Sequence, residues 1–160
     1  MPPVIDRDGP PLHPRGMVIH GTCVSIGDTG VLIRGPSGAG KSDLALRLID
    51  RGAQLVADDS CEVRSESGAV VLSAPSTIAG RMEVRGLGIV EIGNRPSARL
   101  GLIVDLARAS EIERLPEKTA EDLNGVSVPW MQVDPTEASA DAKVRMAVAT
   151  LKTPRMENRT

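Results

Sequence analysis

Residues 35–42 read Gly-Pro-Ser-Gly-Ala-Gly-Lys-Ser, a spacing suited to holding phosphate groups. At Gly35, Gly38 and Gly40 no Cβ stands between the backbone and an oxyanion, so N–H groups can converge on phosphate oxygens. A helix starting at the end of the loop adds positive potential. Pro36, Ser37 and Ala39 complete the loop. In such a loop Lys41 reaches the β- and γ-phosphates and the Ser42 hydroxyl ligates Mg²⁺. A second pair of interest is Asp58-Asp59. One carboxylate can hold Mg²⁺, directly or through water, and the other can accept a proton from an attacking hydroxyl. The rival reading is that the pair caps a turn, as Asp often does.

The elements around these residues decide whether the two groups meet. Met17–Ile26 alternates and is rich in β-branched residues, and Gly27-Asp28-Thr29-Gly30 supplies turn chemistry before the apolar run Val31-Leu32-Ile33. This predicts a hairpin feeding the glycine loop. After Lys41, the spacing of Leu44, Ala45, Leu48 and Ile49 predicts a helix with one apolar face, stopped at Gly52. Residues 53–57 then read as a strand. A helix of about ten residues travels about 15 Å, and five strand residues return about the same distance. Asp58-Asp59 is thereby expected back at the phosphates.

Further on, 61–73 reads as two strands joined around Ser67-Gly68, Val84–Ile92 and Leu100–Leu106 as single strands, and 107–123 as helix or loop. Glu137–Leu151 reads as an Ala-rich amphipathic helix, whose Val144, Met146, Ala147, Val148 and Leu151 suit a core or a docking face. The class is α/β or mixed. One domain is expected over 17–151, between a disordered proline-rich leader (1–16) and a polar tail (152–160).

Composition narrows the partners. Phe and Tyr are absent and Trp130 is the only aromatic residue, with a net charge of −2 and a pI near 5.7. That argues against nucleic acid, which needs stacking platforms or basic excess. Cys23 and Cys61 lack metal-ligand spacing and read as buried apolar residues in a reducing compartment. No run of about 20 apolar residues suggests a membrane span, and a cytoplasmic location is expected. Among proteins with such a glycine loop, guanine-nucleotide switches carry Asn-Lys-x-Asp, which is absent here, and motors are usually longer. A kinase or a small regulatory NTPase remains.

His20-Gly21, Gly30-Val31-Leu32-Ile33, the run GPSGAGKSDLALRLIDRG, LVADD (55–59) and MEVRGLGIVEI (82–92) together resemble the kinase domain of the HPr kinase/phosphorylase family. The resemblance implies a P-loop domain with a mixed central sheet, similar to phosphoenolpyruvate carboxykinase in fold. It implies transfer of the γ-phosphoryl of ATP to a serine of an HPr-like phosphocarrier protein of the phosphotransferase system, by a homo-oligomer such as a hexamer. Ser42 and Glu83 are implied as Mg²⁺ ligands and Asp59 as the base, or as the acid in the reverse reaction of phosphate with phosphoserine, which leaves Asp58 of the acidic pair for the Mg²⁺ side. His20 and Lys41 match further active-site positions. Without the resemblance His20 reads as a structural strand residue, Glu83 as a solvated carboxylate and Arg85 as equally structural.

A catalytic arginine of the family lies in an Arg-Leu-Gly segment. Glu113-Arg114-Leu115 is the nearer match, so Arg114 is the candidate, with Arg99-Leu100-Gly101 competing. The family's N-terminal domain has no counterpart, so the sequence resembles a form made of the kinase domain alone. Its segment Pro-Val-Arg-Pro-Gly-Arg-Asn is not recognisable either: the comparable stretch, Val128-Pro129-Trp130-Met131-Gln132, holds no arginine. This favours kinase over phosphorylase activity. A small-molecule kinase and an ATP-sensing module without catalysis are the alternatives.

Overall fold

The computed structural model describes residues 17–152. The leader, residues 1–16, and the tail beyond Lys152 lie outside the described residues. The expected hairpin is formed by β2 (Thr22–Ile26) and β3 (Thr29–Arg34), with Ile26 opposite Thr29. Gly27 takes φ 60° at its first turn position, as a two-residue hairpin turn with glycine first requires. The residues before it do not continue β2. β1 (Met17–His20) is separated at Gly21 and pairs with β5 (Ser60–Glu66). A Cβ at Gly21 would lie 2.8 Å from Leu32 Cδ1 and 3.0 Å from the Ile33 carbonyl oxygen, so the break passes β3 too closely for any side chain.

α1 (Lys41–Asp50) buries Leu44, Ala45 and Leu48 and packs Ile49 at the margin, as its apolar spacing predicts. Its end is a Schellman motif: Ala53 N–H donates to Leu48 O and Gly52 N–H to Ile49 O, both at 3.0 Å, with Gly52 at φ 107°. β4 (Gln54–Ala57) follows, antiparallel to β2. β5 and β6 (Ala69–Ser73) form the second expected hairpin, with Ser67 and Gly68 at φ 51° and 78°. Two consecutive positive φ values are the geometry that a two-residue turn of this kind demands.

The strand expected over Val84–Ile92 is a correction. β7 (Arg81–Val84) and β8 (Gly88–Glu91) form a separate two-stranded ribbon. Gly86 and Gly88, both at φ 93°, turn the chain where a strand would have to run straight. β9 (Ser97–Leu106) begins three residues earlier than expected. In 107–123 the helix-or-loop reading gives way at its end to a strand, β10 (Ala120–Leu123), after a short 3₁₀ turn at Ala109–Glu111. β10 pairs with β11 (Val126–Val133), a strand that the apolar pattern did not indicate. α2 (Ala140–Lys152) starts three residues after the expected Glu137. Residues 134–137 are instead a turn, in which Asp134 accepts hydrogen bonds from Thr136 N–H and Oγ1.

The main sheet runs β1-β5-β6-β9-β3-β2-β4, with β11 also on β9 and β10 on β11. It is mixed, because β9 is parallel to β3 and β11 but antiparallel to β6. Alternate residues of β3 serve two cores. Val31 and Ile33 join the cluster under α1 and α2, and Leu32 faces Cys23, Cys61, Val63 and Leu72 on the other side. Both cysteines are free and buried, and burial pushes the Cys61 thiol up to about 12 and that of Cys23 well above its usual value. On α2, Val144 and Val148 are core, Ala147 packs at its edge, and Met146 and Leu151 are exposed.

The consequence for the site is one of direction. β3, β9 and β11 are parallel, and β4, antiparallel to β2, runs the same way as β3. Their carboxyl ends and the segments that follow therefore gather at one edge of the sheet, where ligands of open α/β sheets bind.

Candidate functional site

Gly35–Ser42 joins the end of β3 to the start of α1. Gly38 and Gly40 sit at φ 82° and 109°, the left-handed region open to glycine. Among the described residues, the N–H groups of Gly38, Gly40 and Lys41 meet no protein acceptor. Unpartnered donors at a helix N-terminus are suited to phosphate oxygens. Lys41 is 5% exposed, and its Nζ donates to the carbonyls of Gly35 (2.8 Å) and Pro36 (3.2 Å), which holds the ammonium over the loop.

The return of Asp58-Asp59 to this loop is as the length arithmetic predicts. Ser42 Oγ donates to Asp58 Oδ1 at 2.7 Å, and Lys41 Nζ lies 3.9 Å from Asp59 Oδ1. The two carboxylates are placed differently. Asp58 is buried and accepts two further hydrogen bonds, from Thr22 Oγ1 (3.2 Å) and from the N–H of Glu83 (3.1 Å). The Asp59 side chain is 63% exposed, with His20 Nε2 3.6 Å from the same Oδ1 that faces Lys41. Asp59 has φ 69°, and Ser60 N–H donates to Asp58 O across it at 2.8 Å. This is a γ-turn of the strained hand, secured from both sides: Asp59 N–H donates to Thr22 Oγ1 (3.1 Å) and Asp59 O accepts from Gly21 N–H (3.0 Å).

Thr22 is thus a site residue that the sequence did not single out. Its buried hydroxyl donates to Asp58 and accepts from Asp59 N–H, fixing the pair. Glu83, on β7, contributes its N–H to Asp58 and leaves its own carboxylate exposed. Arg85 is exposed in the turn after β7 and Arg114 in the segment between β9 and β10. Arg114 lines a cleft of about 490 Å³ with Trp130 and Gln132 and makes no contact with the acidic pair. Arg99 pairs with Thr29 at the start of β3, whereas the loop leaves from Arg34 at its end. At ~3.3 Å per residue that separates Arg99 from the loop by a strand's length, on the order of 17–20 Å.

A second network braces the loop from below. Arg34, the residue before Gly35, donates through Nε and an Nη to both oxygens of Asp105 (2.7 and 2.8 Å) and pairs with Glu121 at 2.7 Å. Trp130 Nε1 donates to Asp105 Oδ2 at 2.8 Å, and Lys118 Nζ lies 4.0 Å from the Trp130 ring centre. The Arg34 guanidinium, with help from Lys118, lowers the Glu121 carboxyl to about 2. Arg47 of α1 clamps the turn before α2, donating to Pro135 O (2.6 Å) and Glu137 O (3.3 Å).

Among the described residues no three His, Cys, Asp or Glu side chains cluster as metal ligands. Ser42 and Asp58 do bring two oxygens together beside the loop. This fits a cation completed by substrate phosphates and water, as Mg²⁺ usually is, and not an all-protein cage.

The model of the HPr Serine kinase C-terminal domain matches residues 14–158. The chain belongs to this family. Relatives include the HPr kinase/phosphorylase of Geobacillus sp., 45% identical over 96 residues (55% of this chain and 31% of the relative). That of Bordetella pertussis is 41% identical over 122 residues, 69% of this chain and 40% of the relative. The chain therefore spans well under half the length of these curated relatives. The solved structure of the Hpr(Ser) kinase/phosphatase from Coxiella burnetii matches with TM-score 0.75 at 26% identity, covering 85% of this chain and 96% of that one. The likeness extends to the fold as a whole, an α/β fold with a mixed sheet.

Proposed function

We propose that this chain transfers the γ-phosphoryl group of ATP to a serine of an HPr-like phosphocarrier protein, on a scaffold similar to phosphoenolpyruvate carboxykinase. The observation that carries the reading is the division of labour within the acidic pair. Asp58 is turned inward onto Ser42, while Asp59 is held outward at the mouth of the glycine loop. The loop N–H groups and Lys41 hold the β- and γ-phosphates, and Ser42, Asp58 and Glu83 would hold Mg²⁺. When bound, Mg²⁺ neutralises charge on the phosphates. Asp59 takes the hydroxyl proton of the acceptor serine as the serine Oγ bonds to phosphorus. The bond from phosphorus to the β,γ-bridging oxygen breaks and ADP leaves. His20 orients the Asp59 carboxylate. Arg114 remains the candidate for neutralising the transferring group, which requires its segment to close over the loop.

An exposed base favours a macromolecular acceptor over a metabolite, and the Asp59 side chain is 63% exposed among the described residues. The absence of arginine from Val128–Gln132 favours the kinase direction. The test is incubation of the purified protein with γ-labelled ATP, Mg²⁺ and the HPr-like protein of the same cell. Label on serine is the expected result, and none on the carrier would overturn the reading.

A further inference from the structure

We infer that the cleft beyond β9 and β11 receives the base of the bound nucleotide and that Gln132 reads the edge of that base, an inference that rests on nucleotide binding at the glycine loop. At about 490 Å³ the cleft has the size of a small-molecule site. It opens at the carboxyl ends of the two strands that run parallel to β3, on the same side as the phosphate-binding donors. One short turn separates the two places. A Cβ at Gly40 would lie 3.3 Å from Pro135 Cβ, and Glu137, two residues on, already lines the cleft. On its other side Ala109, also in the lining, is tied to the same turn by its N–H bond to Asp134 Oδ2 at 2.8 Å. Arg47 clamps this turn to α1, so the loop and the Glu137 side of the cleft are held in fixed relation.

The chemistry of the walls suits a heterocycle better than a second anion. Trp130, Met131 and Ile112 provide apolar surface. Two of the cations present are already matched, Lys143 by Glu137 at 2.7 Å and Lys118 by Glu121 at 3.0 Å. The Gln132 amide has no hydrogen-bond partner among the described residues, and it offers a donor and an acceptor side by side. That is the pairing a purine edge presents, and the one by which Gln recognises adenine elsewhere.

Trp130 is the only aromatic residue, so its fluorescence reports on this cleft without interference. The intact protein is titrated with MgATP and, separately, with magnesium tripolyphosphate, which carries the phosphates without a base. MgATP is expected to bind about tenfold more tightly or better and to change Trp130 emission, and tripolyphosphate to leave the emission unchanged. Gln132→Ala is expected to remove most of that advantage while keeping tripolyphosphate affinity. Equal affinities for the two ligands, or unaltered ATP affinity in Gln132→Ala, would overturn the inference alone. Binding of neither ligand would overturn the nucleotide reading together with it.

Discussion

Asp59 combines a strained backbone with the proposed chemistry, so its replacement should separate stability from activity in opposite directions. A residue with a side chain in the left-handed region carries about 1–2 kcal/mol of strain. Glycine at φ 69° carries none, but its freer unfolded chain offsets about 0.4–1 kcal/mol. Asp59→Gly should therefore be more stable than the parent by about 0.5–1 kcal/mol. Removing the carboxylate from its ion pairs with His20 and Lys41 subtracts little, since the side chain is 63% exposed and both pairs are longer than 3.5 Å. The backbone bonds to Thr22 and Gly21 survive the change. Asp59→Asn should be near neutral, because Asn adopts this conformation as readily as Asp. Both variants should lose serine phosphorylation by about 10²–10⁴-fold, the usual contribution of a general base, with ATP affinity retained. Urea unfolding followed through Trp130 fluorescence gives the first quantity, and initial rates with γ-labelled ATP give the second. A Gly variant destabilised by more than about 1 kcal/mol would refute the strain reasoning, and turnover within about threefold of the parent would place the base elsewhere.

Gly30→Ala should lower stability by about 1–3 kcal/mol, because its Cβ would lie 2.6 Å from the Arg99 carbonyl oxygen at the β3–β9 junction. A shift of the urea midpoint at constant m-value measures it, and no measurable shift would mean that the strands part without loss. Glu121→Gln should flatten the acid limb of the stability curve. The Glu121 carboxyl is lowered from 4.5 to about 2 in the folded chain, so its contribution is complete above about pH 4.5 and disappears as pH falls toward 2. Unfolding free energies measured across that window should therefore converge for parent and variant at the acid end, and parallel curves would refute the Arg34–Glu121 linkage.

The parts of the fold legible in the sequence are those where one local signal decides the outcome. Leu44, Ala45 and Leu48 repeat at helical spacing and Gly52 ends the helix, so α1 could be read directly. The Asp58-Asp59 return followed from element lengths alone. The β7–β8 ribbon was hidden because Val, Ile and Glu in 84–92 are compatible with a strand, and only the positive φ at Gly86 and Gly88 reveals the turn. β11 was hidden for a different reason: it changes partner in mid-course, from β10 up to Pro129 to β9 from Trp130. Pro129 sits opposite Ala120, and the apolar alternation changes meaning with the partner. Thr22 gave no signal, since threonine in a β-branched run reads as a strand former, and its two hydrogen bonds exist only once β4 lies against β2.

The same long-range placement explains why the acidic groups of the site come from β4. Asp105 stands opposite Arg34 at the carboxyl end of β9, the strand directly beside the one that feeds the glycine loop. By topology alone it is the nearest carboxylate for a metal or a proton. Its oxygens are, however, already occupied, Oδ1 by Arg34 and Oδ2 by Arg34 and Trp130, and a carboxylate saturated by a guanidinium and an indole N–H serves as a brace and not as a ligand. β4 lies on the other side of β3, with β2 between them. Reaching the loop from there, Asp58 meets Ser42 from the side opposite Asp105, and the strained turn at Asp59 carries the second carboxylate outward. One carboxylate thus fixes the strand beneath the loop, one engages the loop's hydroxyl, and one is carried outward beside His20 and Lys41, each placed by the donors that its strand end encounters.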